Sequence, residues 1–507
     1  MNPMEILQDI KNKINKREIF KYNRDELVAC LITAVNDLTR SSSLLMRSDM
    51  ADAVIEQFRA ILKFIFENSS NESEVSPNAE GLTYKFHDLV MEFMEDYTPV
   101  RNYLEQCATG TRELLYDEKM DVYYESKFDK FANYSRIRDR VKTYDSEETK
   151  HLATTSMMNY LFRNPKSFIF KDRFYKGLMN DFIDACWLDS EIKFEYEFVD
   201  FKYSELISFC AALLLIGEFF FLNQVQYFYG YIKEDAMIDG IRRLTDLSEE
   251  KVKLFLNYAT YDYEYQKDKL TLIQSLIKGK EGYYFLSYNL TLGNLPIKMC
   301  RVMFDVDHKK YERDISAIAK LKEKQMTDEI INAIKKYDVD IKLNYQYRNK
   351  ETNKIDAEYD ILIYDNISNN LYVAECKWFY VGDDEFEHMK LDKKIEKSIS
   401  YRLDKDKCIT RDSKGFVHEV FNKSTVNEVN EILISQNFMG MKKHNMPVLD
   451  FETLKLSIGR NDTFKDAMEY VYDEKYIDTI DFEGELHEIE IEGYKFKIYR
   501  MVGKWPS

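Results

Sequence analysis

The sequence predicts a multidomain α+β protein in which a large, mainly helical N-terminal region precedes a C-terminal α/β domain. Three observations carry this reading. The chain has 507 residues, too many for one ordinary domain. Its 16 Gly and 7 Pro are few beside 37 Tyr and 33 Phe, a balance that limits tight turns and favours long helices. After about residue 336, the spacing of apolar residues changes from three and four to two.

From Met1 to about Gln226 the helical spacing is clear in stretches such as LVACLITAVNDL and MADAVIEQFRAILKFIF. Residues 68–78, NSSNESEVSPN, are polar and apolar-poor and read as a loop. The run from Leu206 to Leu222 is apolar except for Ser208, Gly217 and Glu218, but it barely reaches spanning length and carries an acid. It reads as a buried core helix, with no membrane association. Between Asp235 and Cys300 two helices, AMIDGIRRLT and SEEKVKLFLNYA, precede the strand-like GYYFLSYNLTL, and Ser248 is placed to cap the second helix. Helix, turn, helix, strands is also the order of a winged helix, with Lys251, Lys253 and Asn257 as polar readers; the region is not basic, so a helical connector is the preferred reading.

A charged helix is expected from about Lys309 to Lys336, with a break near Met326 where Thr327 could cap a second segment. Strands follow at about Val339 to Tyr347, Glu358 to Asp365 and Leu371 to Val381. Next comes a helix from Glu385 to about Arg402, with Ile395 and Ile399 facing inward, and then short strands at Glu431 to Ser435 and Met446 to Leu449. These elements divide the chain into a helical unit at 1–234, a helix-and-strand connector at 235–308 and an α/β domain at 309–507.

A hydrophobic fraction of 45% with 32% charged residues excludes collagen-like and globally disordered chains. A net charge of −17 excludes a protein that coats nucleic acid by bulk electrostatics. Residues 301–450, however, carry 26 Lys and Arg against 28 Asp and Glu, whereas residues 1–300 carry 38 against 48, so a local basic groove is compatible with the former. Seven widely spaced cysteines with no C-x-x-C argue against a disulfide framework and against a thiolate zinc site. The first twenty residues form a charged amphipathic pattern without the apolar core of a signal peptide, so a reducing cytoplasm is expected. The sequence has no G-x-x-x-x-G-K-[ST], G-x-G-x-x-G or H-E-x-x-H motif, which leaves no case for an NTPase motor, a dinucleotide site or a zincin.

The chemistry concentrates in AEYDILIYDNISNNLYVAECKWFYV, residues 357–381, which reads as a β-hairpin. Glu375 and Lys377 are two apart on a strand and share a face, while Cys376 points to the other. Pairing Asp360 with Glu375 requires Asp365 opposite Asn370 across a four-residue loop, a common hairpin length. Two carboxylates together in apolar surroundings repel each other, and a divalent cation relieves this by taking oxygens from both. Acids without His or Cys nearby suit Mg²⁺, with Mn²⁺ as a substitute. Such an ion activates water and neutralises phosphoryl charge, and Lys377 would orient the water or stabilise the developing charge.

Asp360 followed fifteen residues later by Glu375-Cys376-Lys377, on a hairpin preceded by a helix and a strand and followed by a helix, resembles the PD-(D/E)xK or restriction-endonuclease-like nuclease superfamily. The resemblance spans roughly residues 310–450. It implies a core with a central mixed sheet flanked by helices, with Asp360 and Glu375 as metal ligands and Lys377 as the motif lysine. Many members add a glutamate from the preceding helix, for which Glu329 is the candidate and Glu312 and Glu323 are rivals. Tyr359 stands where the motif name has Pro, Trp378 follows the lysine where a polar residue is common, and the later Gln or Lys falls among Lys390, Lys393, Lys394 and Lys397.

The expected function is therefore a Mg²⁺-dependent nuclease, a DNA endonuclease before an RNA one, in a role such as restriction or antiviral defence. The helical N-terminal region would control it or bind a protein partner. Cutting both strands of a duplex needs two active sites, so a homodimer is expected. The alternative is a catalytically silent nuclease-fold scaffold or a nucleic-acid-binding subunit of a larger complex.

Overall fold

The computed structural model describes residues 2–44, 48–131, 134, 179–180, 183, 192–193, 195–222, 231–263, 276–285, 295–348, 355–379, 385–405, 409, 411–435, 439–440, 444, 446–479 and 482–503. The fold is mixed α and β, with most helices in the N-terminal half. Strands are numbered in chain order: β1 (Leu115–Asp117), β2 (Val122–Tyr124), β3 (Tyr231–Lys233), β4 (Thr260–Tyr261), β5 (Leu276–Lys278), β6 (Gly282–Phe285), β7 (Val339–Arg348), β8 (Ile355–Asp365), β9 (Asn370–Lys377), β10 (Val429–Ser435), β11 (Val448–Asp450), β12 (Phe482–Ile491) and β13 (Tyr494–Gly503).

Five helices open the chain, at Pro3–Ile14, Arg24–Leu44, Ser48–Asn68, Ala79–Glu92 and Thr98–Ala108, and their apolar stripes form one core with Phe20, Phe64, Phe93 and Tyr103 inside it. Asn2 caps the first helix with a full capping box, and the polar stretch 68–78 is the expected loop before Asn78 caps the fourth. The helical reading missed the small β1–β2 hairpin. It is too short to show an alternating pattern, and it is held by pairing with the other end of the chain: β2 runs parallel to β13, which pairs antiparallel with β12. Ile489, Ile491, Phe496 and Ile498 of this last hairpin are buried in the N-terminal core. Arg17 joins the two ends, holding Glu92 at 2.6 Å and Glu492 at 2.7 Å. Within residues 482–503, grouped by sequence with the α/β domain, Phe482 and Met501 pack in the sheet core, while Ile489, Ile491, Phe496 and Ile498 pack with the N-terminal helices.

A second core surrounds the apolar helix Tyr203–Leu222, which helices Glu234–Leu244, Glu249–Ala259 and Leu295–Val306 enclose. Among the described residues no helix is long and apolar enough to cross a membrane. Ser248 caps its helix as expected, accepting from Lys251 N–H at 3.3 Å. The cations of that helix are engaged elsewhere: Lys251 donates to the Asp200 carbonyl and lies 3.1 Å from Glu205, and Lys253 lies 2.7 Å from Glu249. β3 to β6 form a small sheet beside these helices.

His308–Ile334 is one continuous helix, without the expected break. The Thr327 hydroxyl donates to the Glu323 carbonyl at 2.7 Å, so a residue read as a cap satisfies itself inside the helix instead. The helix enters a five-stranded mixed sheet in the order β11-β10-β9-β8-β7, with β7, β8 and β9 antiparallel and β9, β10 and β11 parallel. The second half of this helix packs on one face with Phe451–Arg460 and Phe464–Tyr472, and Glu385–Lys405 and Ser413–Phe421 cover the other. Ile395 and Ile399 face inward as expected.

Phe496 is the test of the closure between the chain's two ends. Phe496→Ala should cost about 3–5 kcal/mol of stability, because a buried ring leaves a cavity. Urea denaturation should show a lower midpoint, with near-UV signal from the N-terminal aromatic core lost in the same transition. An unchanged midpoint would mean that the last hairpin docks on the helices without stabilising them.

Candidate active site

The site is built on the β8–β9 hairpin, and its turn fixes the geometry. Asp365 is buried and opposite Asn370; its carboxylate accepts from Ile367 N–H at 3.0 Å and Ser368 Oγ at 2.6 Å. Asn369 closes the loop with φ of 58°, a left-handed conformation that Asn tolerates, and donates its N–H to the Asp365 carbonyl at 2.8 Å. This is the register that the sequence requires for Asp360 to meet Glu375. Ile361 pairs with Ala374, and one step further Asp360 Oδ2 accepts from Cys376 N–H at 2.8 Å.

Asp360, Glu375 and Lys377 are brought together on one side. Lys377 Nζ lies 2.8 Å from Glu375 Oε1 and 3.8 Å from Asp360 Oδ2, and it donates to the Cys376 carbonyl at 3.2 Å. The Glu375 side chain is only 5% exposed, whereas Asp360 and Lys377 keep 30% and 29%. The cluster therefore has a dry floor and an open top. Burial alone would pull the Lys377 ammonium down, but Glu375 and Asp360 together outweigh it and hold the group above its ordinary value. Cys376 faces the opposite side and lies in the core, where burial pushes its thiol up.

The glutamate that approaches the cluster is Glu323. Its Oε1 accepts from Trp378 N–H at 3.5 Å, and its carboxyl feels Lys377, Asp360 and Glu375. Burial raises it above the usual carboxylate range, with Lys377 partly offsetting that. Glu329, the expected ligand, is instead exposed and lies 3.9 Å from Lys455. The reason is helical phase. Ile318, Lys322, Met326, Ile330 and Ile334 form the inward stripe at four-residue spacing; Glu323 borders it near the end of β9, and Glu329, six residues on, is turned roughly 120° from Glu323, onto the stripe's other flank. Glu312 is exposed, on the half of the helix that packs with the helical core. Lys390, Lys393, Lys394 and Lys397 all lie on the exposed face of their helix.

Sequence reasoning passed over two residues near this site and a buried acid on the helix Glu385–Lys405. Asn344 is one, a strand residue with φ of 47°. Ser435 is fully buried and pairs in register with Lys377 on one side and Asp450 on the other. Asp392 is buried on a helix otherwise lined with exposed lysines. No spacing rule marks any of them.

As the side chains stand, no group of three or more His, Cys, Asp and Glu among the described residues is gathered closely enough to hold a metal ion. The Lys377 ammonium reaches both carboxylates. The donor chemistry nonetheless suits a hard divalent cation, because Asp360, Glu375 and Glu323 offer carboxylate oxygens alone and the neighbouring thiol is turned away. Comparison of the chain with known protein families, curated proteins and solved structures gives no match.

Burial raises the Glu323 carboxyl, so its ionised form opposes folding. In metal-free buffer Glu323→Gln should melt higher than the wild type at pH 7, and the gain should shrink to nothing as the pH falls below the ordinary Glu value of 4.5, where both side chains are neutral. Calorimetric melting across pH 4 to 8 would show it. A variant less stable than wild type at pH 7 would mean that attraction to Lys377 outweighs burial.

Proposed function

We propose that the protein is a metal-dependent nuclease of the PD-(D/E)xK kind that hydrolyses phosphodiester bonds in DNA, with a restriction-endonuclease-like core formed by the helix His308–Ile334 and the five-stranded sheet. The convergence of Asp360, Glu375 and Lys377 on a half-open hairpin face, with Glu323 arriving from the preceding helix, is the observation that carries this reading. The order of helix, antiparallel strands and parallel crossover supports it.

Asp360, Glu375 and Glu323 would hold Mg²⁺, for which Mn²⁺ substitutes. When bound, the ion supplies Lewis-acid activation of water and neutralises phosphoryl charge. In the reaction water adds to phosphorus, one ester P–O bond breaks and the leaving oxygen takes a proton. The part of the chain itself is electrostatic. Lys377, kept charged by its two carboxylates, offers a fixed ammonium to the negative charge that grows on the phosphoryl oxygens. Cys376 N–H fixes the orientation of the Asp360 carboxylate. The open side formed by Asp360 and Lys377 gives the phosphate its approach.

In this reading the N-terminal helices regulate the enzyme or bind a protein partner, since an acidic chain supplies little non-specific affinity for DNA. A homodimer would cut both strands. The described cysteines are free thiols, which suits action in the cytoplasm. A second reading rests on one observation: Lys377 balances the carboxylates without a cation, as a catalytically silent scaffold would.

The deciding experiment is incubation of the purified protein with supercoiled plasmid, linear duplex, single-stranded DNA and RNA, with Mg²⁺, Mn²⁺ or EDTA. Asp360→Ala and Lys377→Ala should each lower metal-dependent cleavage by at least about 100-fold. Glu323→Gln should weaken it, while Glu329→Gln should cut like wild type. Mn²⁺ should raise the melting temperature of the wild type and not of Asp360→Ala. No cleavage and no Mn²⁺ shift would overturn the nuclease reading in favour of the scaffold.

A further inference from the structure

The alternation of side chains along a strand places residues two apart on the same face. The β7–β8 pair breaks this rule at the level of the site. On β8, Ile361 and Ile363 lie in the core beneath the helix His308–Ile334, but Tyr359 and Ala357 lie in the core on the opposite face, with Leu362 and Tyr364. On β7, Val339 and Ile341 pack on the first core and Tyr345 and Tyr347 on the second. The facing therefore reverses in both strands, between Ile341 and Tyr345 on one and between Tyr359 and Ile361 on the other. The register itself is kept, with Leu343 opposite Ile361 and Tyr345 opposite Tyr359.

Two residues occupy the reversal, Asn344 and Asp360, which stand between the pairs Leu343–Ile361 and Tyr345–Tyr359, where the ladder skips a pair. Asn344 has φ of 47°, while the other non-glycine residues with positive φ among those described stand in turns, loops or a helix cap. A left-handed residue inside a strand turns the chain locally and redirects the side chains that follow. Asn adopts this conformation more readily than other non-glycine residues, and a β-branched side chain adopts it least. Packing on both sides holds the reversal in place: Tyr345 and Tyr359 meet the Phe416 ring edge-on and Tyr347 at a tilt, while Ile361 and Ile363 are buried in the opposite core.

We propose that Asn344 is a positioning residue whose left-handed backbone turns the β7–β8 ribbon so that the Asp360 carboxylate lies on Cys376 N–H and beside Lys377. Its consequence for cleavage rests on the nuclease reading; its consequence for Asp360 does not. Asn344 acts through the strand, and its exposed side chain is not part of the site.

The test compares Asn344→Gly, Asn344→Ala and Asn344→Val, with wild type and Asp360→Ala as references. Circular dichroism confirms folding, and Asn344→Ala supplies a milder strain should Asn344→Val fail to fold. Hydrogen exchange of the peptide containing Cys376, in metal-free protein, reads whether Asp360 still accepts that N–H. Asn344→Gly should keep wild-type protection, whereas Asn344→Ala and Asn344→Val should exchange faster, approaching Asp360→Ala. Mn²⁺-dependent melting shifts and plasmid cleavage should follow the same order, with cleavage falling about 100-fold in Asn344→Val, as displacement of a site group entails. Folded Ala and Val variants with wild-type protection at Cys376, or a Gly variant that loses it, would overturn the proposal. If wild type neither binds Mn²⁺ nor cuts, the nuclease reading fails, while the exchange result still decides the role of Asn344.

Discussion

A slip of one residue between β8 and β9 would turn every side chain of one strand to the other face, so the register closed at Asp365 and Asn370 governs what surrounds it. The turn enforces it chemically. Asp365 is buried, which costs energy unless its oxygens are satisfied, and the backbone of Ile367 and the hydroxyl of Ser368 satisfy them in this loop geometry. Asn369 supplies the left-handed step. With the turn set, Asp360 meets Cys376 N–H and Glu375 meets Lys377, and the parallel partner β10 brings buried Ser435 beside Lys377.

The charges gathered there are poor material for stability. Glu375 is almost wholly buried, and a carboxylate in that position is tolerated because the Lys377 ammonium lies 2.8 Å away. Removing one partner of such a pair leaves the other buried without its counter-charge. Glu323 completes the picture from the far side: burial lifts it, Lys377 draws it back, and Trp378 N–H gives it a donor. Burial outweighs attraction at Glu323, while at Lys377 the two carboxylates outweigh burial, and the cluster stays half-open to solvent.

The helix His308–Ile334 connects this chemistry to the rest of the chain. Tyr311 and Ile318 belong to the helical core, and Met326, Ile330 and Ile334 to the sheet core. Trp378 follows the site lysine directly, and its ring is buried in the helical core while its N–H meets Glu323. A shift of the helical core against the sheet would thus be felt at Glu323 and Trp378 together. The two ends of the chain meet separately, where Arg17 holds Glu92 and Glu492 and the last hairpin fills the N-terminal core.

The sequence alone determined what local spacing encodes. The N-terminal helices, the strands around Asp360 and Glu375, the cap at Ser248 and the hairpin register were all readable, because each depends on residues within a few positions of one another. The choice among Glu312, Glu323 and Glu329 was not readable, because it depends on which stripe of a 27-residue helix faces the sheet and on where along it the strand ends. The continuity of that helix at Thr327 and the inward burial of Asp392 are likewise decided by neighbours distant in sequence. The pairing of β2 with β13 joins segments more than 370 residues apart, and no local pattern announces it. The reversal at Asn344 defeats the period-two rule itself: packing of Tyr345, Tyr347 and Tyr359 on one side and Ile361 and Ile363 on the other outweighs the local preference for an unbroken pleat. Short-range spacing writes elements and register, whereas phase, long-range pairing and the facing of a bent strand are settled by which surfaces bury one another.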